Sequence, residues 1–176
     1  MNFKSEKGVT LTEVIGAFTI LLMLMVPLTF IFTTTYSKCV VEADKTAAQQ
    51  VAREVLYGDG INYDGIIGDL EKSNSLISEV DIPPNGCSIS IPAKNGISEY
   101  LYEPDSSGGV IKLNGKRINE KSSSGKDIKI RGFYLQKILK DNFNDHDQLR
   151  VQVRVSCGKS GIVEVESSYR FPNIEK

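Results

Sequence analysis

Lys7-Gly8-Val9-Thr10-Leu11-Thr12-Glu13 runs without a break into VIGAFTILLMLMVPLTFIFTTTYS, residues 14–37. No charged residue occurs in 14–37, and Ile, Leu, Met, Val and Phe dominate it as far as Phe32. A helix of about 20 such residues crosses the hydrocarbon core of a bilayer, so the stretch predicts a transmembrane helix. Pro27 interrupts it, but neighbouring helices or Thr side chains satisfy freed backbone groups in membrane helices. Lys4 and Lys7 precede the run, which places the N-terminus in the cytoplasm and the chain after Ser37 outside. A cleaved secretory signal would end in a small-residue site, and Thr33-Thr34-Thr35-Tyr36 is a poor one. A lipoprotein signal would need small residues before Cys39, where Tyr36-Ser37-Lys38 stands.

Downstream the pattern changes. Val40, Ala43, Ala47, Ala48, Val51, Ala52, Val55 and Leu56 recur at spacings of three and four, and Glu42, Asp44, Lys45, Gln49, Gln50, Arg53 and Glu54 fill the other faces. That is an amphipathic helix, stopped by Gly58-Asp59-Gly60. One helix is therefore expected over residues 9–57, apolar all round in its first half (14–37) and on one side in its second (38–57). Residues 58–176 read as β structure. Cys87-Ser88-Ile89-Ser90-Ile91 alternates, Glu99-Tyr100-Leu101-Tyr102 and Val110-Ile111-Lys112-Leu113 are short strand candidates, and Asn114-Gly115 is a hairpin turn. Residues 127–139 read as a further strand, 149–155 alternate strictly, and 162–166 follow the turn Gly158-Lys159-Ser160-Gly161. The expected fold class is α+β: a long N-terminal helix packed on a head with one antiparallel sheet of about four to seven strands.

The whole chain has 176 residues, 21 Lys+Arg against 22 Asp+Glu and a formal net charge of -1. That balance argues against a protein whose main work is coating nucleic acid. One His and three Cys exclude a His-rich metal centre or a four-thiolate zinc site within one chain.

The N-terminal pattern resembles the class III signal of type IV prepilins and pseudopilins: a short polar leader ending in Gly8, an apolar stretch beginning at once, and a carboxylate at Glu13. Val9 and Thr12 stand where that family usually has Phe and Ile. The resemblance implies a pilin-like fold and cleavage between Gly8 and Val9 by a membrane-embedded aspartyl prepilin peptidase, which also N-methylates Val9. It implies other pilin subunits as partners in a helical filament, and an assembly platform in the inner or plasma membrane. The order of pieces in the head looks like that of W-type minor pilins and J-type minor pseudopilins of type II secretion. The pieces are Tyr100-Leu101-Tyr102, Leu113-Asn114-Gly115, Phe133-Tyr134, residues 149–155 and Phe171-Pro172-Asn173. Glu13 carries a physical argument of its own. A carboxylate near the end of a spanning helix needs a partner, since at the bilayer centre it costs about 2.5–3.5 kcal/mol. The amine created at Val9 would lie one helical turn away, within one chain or between neighbours, and such a pair suits fixing register. The alternative is an interfacial Glu13 exposed to cytoplasmic water.

In an exported head, three Cys suggest one disulfide, expected at Cys87–Cys157 because both flank head strands, or else three reduced thiols. The bridge would close a loop of about 70 residues and stabilise by roughly 4 kcal/mol at most. Residues 60–71 partly fit a calcium loop through Asn62, Asp64, Gly65 and Glu71, but Gly60 occupies the place of the first Asp, so a turn is the better reading. Asp141, Asp145 and Asp147 around His146 read as a loop rather than a metal site. No nucleophile motif and no Walker loop is present, so no catalytic residue, metal or cofactor is assigned. In 112–131, Lys112, Lys116, Arg117, Lys121, Lys126, Lys129 and Arg131 outweigh Glu120 and Asp127; in 59–81, Asp59, Asp64, Asp69, Glu71, Glu79 and Asp81 outweigh Lys72. Such segments dock subunits, contact DNA, or are simply solvated.

The expectation is a structural minor subunit of a type IV pilus or a type II secretion-like pseudopilus. The alternatives are a tip adhesin or DNA-binding minor pilin using 112–131, which would take DNA or a surface ligand, and an ordinary single-pass surface protein.

Overall fold

The computed structural model describes residues 10–93, 96–106, 108–118, 128–140 and 146–172. Helix α1, Leu11–Tyr57, contains Pro27 and remains helical through it. Pro27 removes the N–H that would serve the Met23 carbonyl. Thr19, Thr29 and Thr33 turn their hydroxyls onto the carbonyls of Ile15, Met25 and Thr29 at 2.8, 2.7 and 3.0 Å, so these polar groups are satisfied within the helix itself.

The chain divides into two compact units inside α1, Met1–Val40 and Val41–Lys176. In the first, every residue of 11–33 is exposed, Leu, Ile, Phe and Met included. In the second, α1 buries one stripe: Asp44, Ala48, Val51, Ala52, Val55 and Leu56. Each Val or Leu in that stripe contributes about 1.5–3 kcal/mol by leaving water.

The stripe corrects the sequence-based expectation at one position. Ala43 faces solvent, and Asp44 is only 2 % exposed. The helical line through 48, 51 and 55 passes through 44, not 43. Asp44 is tolerated there because its Oδ2 accepts the backbone N–H of Lys159, at 2.9 Å, in the turn between the last two strands. A side chain at Gly158 would collide with the same carboxylate. Asp44→Ala should therefore remove a hydrogen bond to a charged, buried carboxylate and cost about 2–3 kcal/mol. For a domain of this size that is roughly 6–12 °C of melting temperature. Asp44→Asn keeps an acceptor and should recover part of the loss. Thermal melts of the three proteins check this, and equal midpoints would contradict it.

Helix α2, Gly65–Ser73, buries Ile66, Ile67 and Leu70, and its C-terminus closes on left-handed Asn74. The turn expected over 60–71 holds for 60–64, and α2 takes the place of the rest. Among the described residues seven antiparallel strands follow: β1 (Ser88–Ala93), β2 (Gly96–Glu103), β3 (Val110–Leu113), β4 (Lys116–Arg117), β5 (Ile128–Ile138), β6 (Gln148–Cys157) and β7 (Ile162–Arg170). The α+β class holds, but the one sheet expected is two, ordered β1-β2-β3-β4 and β5-β6-β7. Among the described residues a single bridge, Gly109 to Ile130, joins them. Pairing stops there because β5 carries a bulge between Ile130 and Gly132, which shifts the register and bends the strand.

The core lies between the helices and the sheets. Alternate residues of β6, namely Leu149, Val151, Val153, Val155 and Cys157, are buried and share one cluster with Val51, Val55, Ile66, Leu70, Tyr100 and Phe133. The hairpin β3–β4 turns on Asn114 (φ 49°) and Gly115 (φ 80°), the paired left-handed residues of a type I′ turn.

Candidate functional site

Gly8 and Val9 lie outside the described residues. The site begins at Thr10, immediately before α1. Glu13 Oε2 accepts the Thr10 backbone N–H at 2.9 Å and the Thr10 hydroxyl at 2.9 Å. The Thr10 hydroxyl in turn stands 3.4 Å from the Glu13 N–H. This is a capping box, Ser/Thr at the N-cap answering Glu three residues on, and it satisfies orphan donors of the first turn. Glu13 therefore has a local role beyond the charge expected of it, one that Thr10-Leu11-Thr12-Glu13 spells in the sequence. Among the described residues the partners of the Glu13 carboxylate are the two Thr10 donors, both on Oε2, so the acid caps the start of the helix.

Immediately behind it stands the apolar segment. Of the described helices, α1 alone is long and apolar enough to cross a membrane. Its lipid-compatible surface is continuous, because all of 11–33 is exposed.

The other sequence-derived sites look different in the fold. No disulfide joins Cys87 to Cys157. Cys87 is half-buried just ahead of β1, with its thiol 3.4 Å from the Asn85 carbonyl, while Cys157 is buried at the end of β6 in the other sheet. Cys39 is exposed on α1. In the would-be calcium loop, residues 65–71 belong to α2. The nearby Asp59 carboxylate accepts the N–H groups of Ile61, Asn62 and Tyr63 at 3.0, 2.7 and 3.2 Å, which hold it well below the usual carboxylate range. No cluster of three metal-ligating side chains occurs among the described residues. Asp147 accepts the Lys140 N–H at 2.7 Å; Asp141 and Asp145 lie outside the described residues.

Local partners also use much of the patch charge. Asp64 pairs with Lys72 at 2.6 Å, Asp69 accepts the Tyr100 hydroxyl at 2.6 Å, and Glu79 accepts the Leu76 N–H at 3.0 Å. Lys112 pairs with Glu103 at 2.6 Å, and Lys116 and Arg117 on β4 are exposed. Lys121, Lys126, Glu120 and Asp127 lie outside the described residues.

Two phenols make the head sensitive to alkali. Burial pushes Tyr63 up to about 12, helped by the Glu54 and Asp59 carboxylates. Burial raises Tyr100 further, helped by its hydrogen bond to Asp69. Both folded values exceed the ordinary phenol value of about 10. The stabilisation is thus fully present below about pH 10 and is lost as pH rises through the folded values. Melting midpoints should fall between pH 10 and 12, and a flat profile would contradict the buried phenols.

No protein-family model, curated protein or solved structure matches the chain. A functional reading therefore stands on the residues and the fold themselves.

Proposed function

We propose that this chain is a minor subunit of a type IV pilus or a type II secretion-like pseudopilus. It is made as a prepilin, anchored in the plasma (inner) membrane by α1 with its N-terminus cytoplasmic, cut between Gly8 and Val9 by prepilin peptidase and N-methylated at Val9. The assembly platform then draws it out of the membrane, and the apolar faces of α1 exchange lipid for the helices of other pilin subunits.

The observation that carries the reading is the junction of two features: a helix whose residues 11–33 are all exposed, and a carboxylate, Glu13, in the first turn of that helix. An ordinary anchor gains only a helix cap from an acid at that place, which a neutral Gln would also supply, while an acid near the apolar core is costly unless paired. A filament subunit gains a register device, because the amine freed at Val9 supplies the partner. The head fits a structural part: its buried centre is apolar, Asp59 and Glu79 hold turns, and Glu164 and Glu166 make cross-strand pairs with Arg154 and Arg150.

Gly8→Val tests the reading. The variant should insert in the membrane at the wild-type level, keep its leader, and fall at least about tenfold in sheared filaments. Wild-type incorporation of an uncut chain would contradict the proposal.

A further inference from the structure

Strand β5 lies at the edge of the three-stranded sheet, with β6 paired along one side of it. On its other side, among the described residues, the one backbone bond is from the Gly109 N–H to the Ile130 carbonyl, at 2.8 Å. From residue 131 onward that edge has no ladder partner among the described residues. Beside it runs a groove of about 400 Å³, lined by two continuous stretches, residues 131–135 and residues 84–87, with Tyr102 between them. Side chains of a strand alternate between its faces. A groove on one face would therefore be lined by every second residue. Five in succession line it only where it follows the strand's backbone edge. The bulge at Ile130/Gly132 is what separates this edge from the four-stranded sheet and leaves the groove open.

We propose that this groove binds an extended acidic peptide, which adds as a strand to the open edge of β5. Unpaired strand edges are templates for such addition. The lining chemistry selects the peptide. No carboxylate lines the groove, and Arg131 is exposed there, its Nε donating to Ser156 Oγ at 3.0 Å. Half-exposed Tyr134 and half-buried Leu135 line the same groove over buried Phe133, so its apolar lining lies next to a cationic group. An acid alternating with an aliphatic residue matches both, over about 16 Å for five residues. The turn across from β5 is already set, since Asn85 Oδ1 accepts the Cys87 N–H at 3.2 Å. The occupant is a single strand with both edges free. This site is independent of the membrane and filament reading, because all of its residues lie in the unit that begins at Val41.

The test uses the full chain in detergent micelles and two fluorescent peptides, TEVDVTS and its basic counterpart TKVKVTS. Anisotropy should show the acidic peptide binding at least about tenfold more tightly, and hydrogen exchange should show slowed amides within 131–135. Arg131→Glu leaves the core untouched and should reverse the preference. Failure of both peptides to bind at millimolar concentration would overturn the site, as would binding without protection of β5, or a preference that survives Arg131→Glu.

Discussion

Replacing Gly65 with Ala is expected to abolish folding of the head, because two costs fall on one residue. Gly65 has φ 71°, a left-handed conformation that charges a non-glycine residue about 1–3 kcal/mol. It also packs where no side chain fits: a Cβ there would fall inside the backbone of Tyr57 and Gly58, at the end of α1. Gly58 meets the backbone of Tyr63 and Asp64 in the same way. The loop leaving α1 thus crosses its own path at two glycines and enters α2 at once. Neither side of that contact is a flexible side chain, so relief requires moving α1 against α2. The combined cost should exceed about 4 kcal/mol, a large share of the 5–15 kcal/mol that holds a typical domain together. Gly60→Ala provides the control. Gly60 has φ 75° but open space around it, so its cost is the conformational part alone. Denaturant midpoints should order wild type, Gly60→Ala and Gly65→Ala, with Gly65→Ala losing its cooperative transition. Similar midpoints for the two variants would mean that the backbone crossing is not tight.

The second large effect is expected at Glu13, where two roles separate by substitution. The capping box needs an acceptor at the third helical position, and Gln supplies one. Pairing with the Val9 amine needs a charge, and Gln does not supply it. Glu13→Ala loses both, and loss of the cap by itself costs about 0.5–2 kcal/mol of helix stability. Glu13→Gln loses only the charge. If the amine pair fixes register in the filament, Ala and Gln should both fall at least about tenfold in sheared filaments while remaining in the membrane. Rescue by Gln would reduce Glu13 to a helix cap and remove its assembly role.

The parts of this fold that were legible in the sequence are those set by neighbours along the chain. The apolar run, the three-four spacing from Ala48 to Leu56, the strict alternation of β6 and the Asn114-Gly115 turn all express local periodicity or local backbone chemistry. The features set by distant partners were not legible. Asp44 is buried because of an N–H 115 residues away, and no pattern around position 44 announces it. Helix α2 was hidden by its shortness and by the glycines, Asp and Asn that precede it, although Ile66, Ile67 and Leu70 carry the helical spacing. Division into two sheets follows from one extra residue in β5, which strand propensity does not register. The groove beside β5 follows from that division and was equally hidden. At the N-terminus the capping box was fully legible, and was missed because Glu13 was weighed only for its charge.

Mass spectrometry of the N-terminal peptide, from protein extracted from membranes and sheared filaments of cells with active peptidase, decides whether the leader is removed. The account predicts a chain beginning at N-methylated Val9. A chain still beginning at Met1 in every fraction would contradict it.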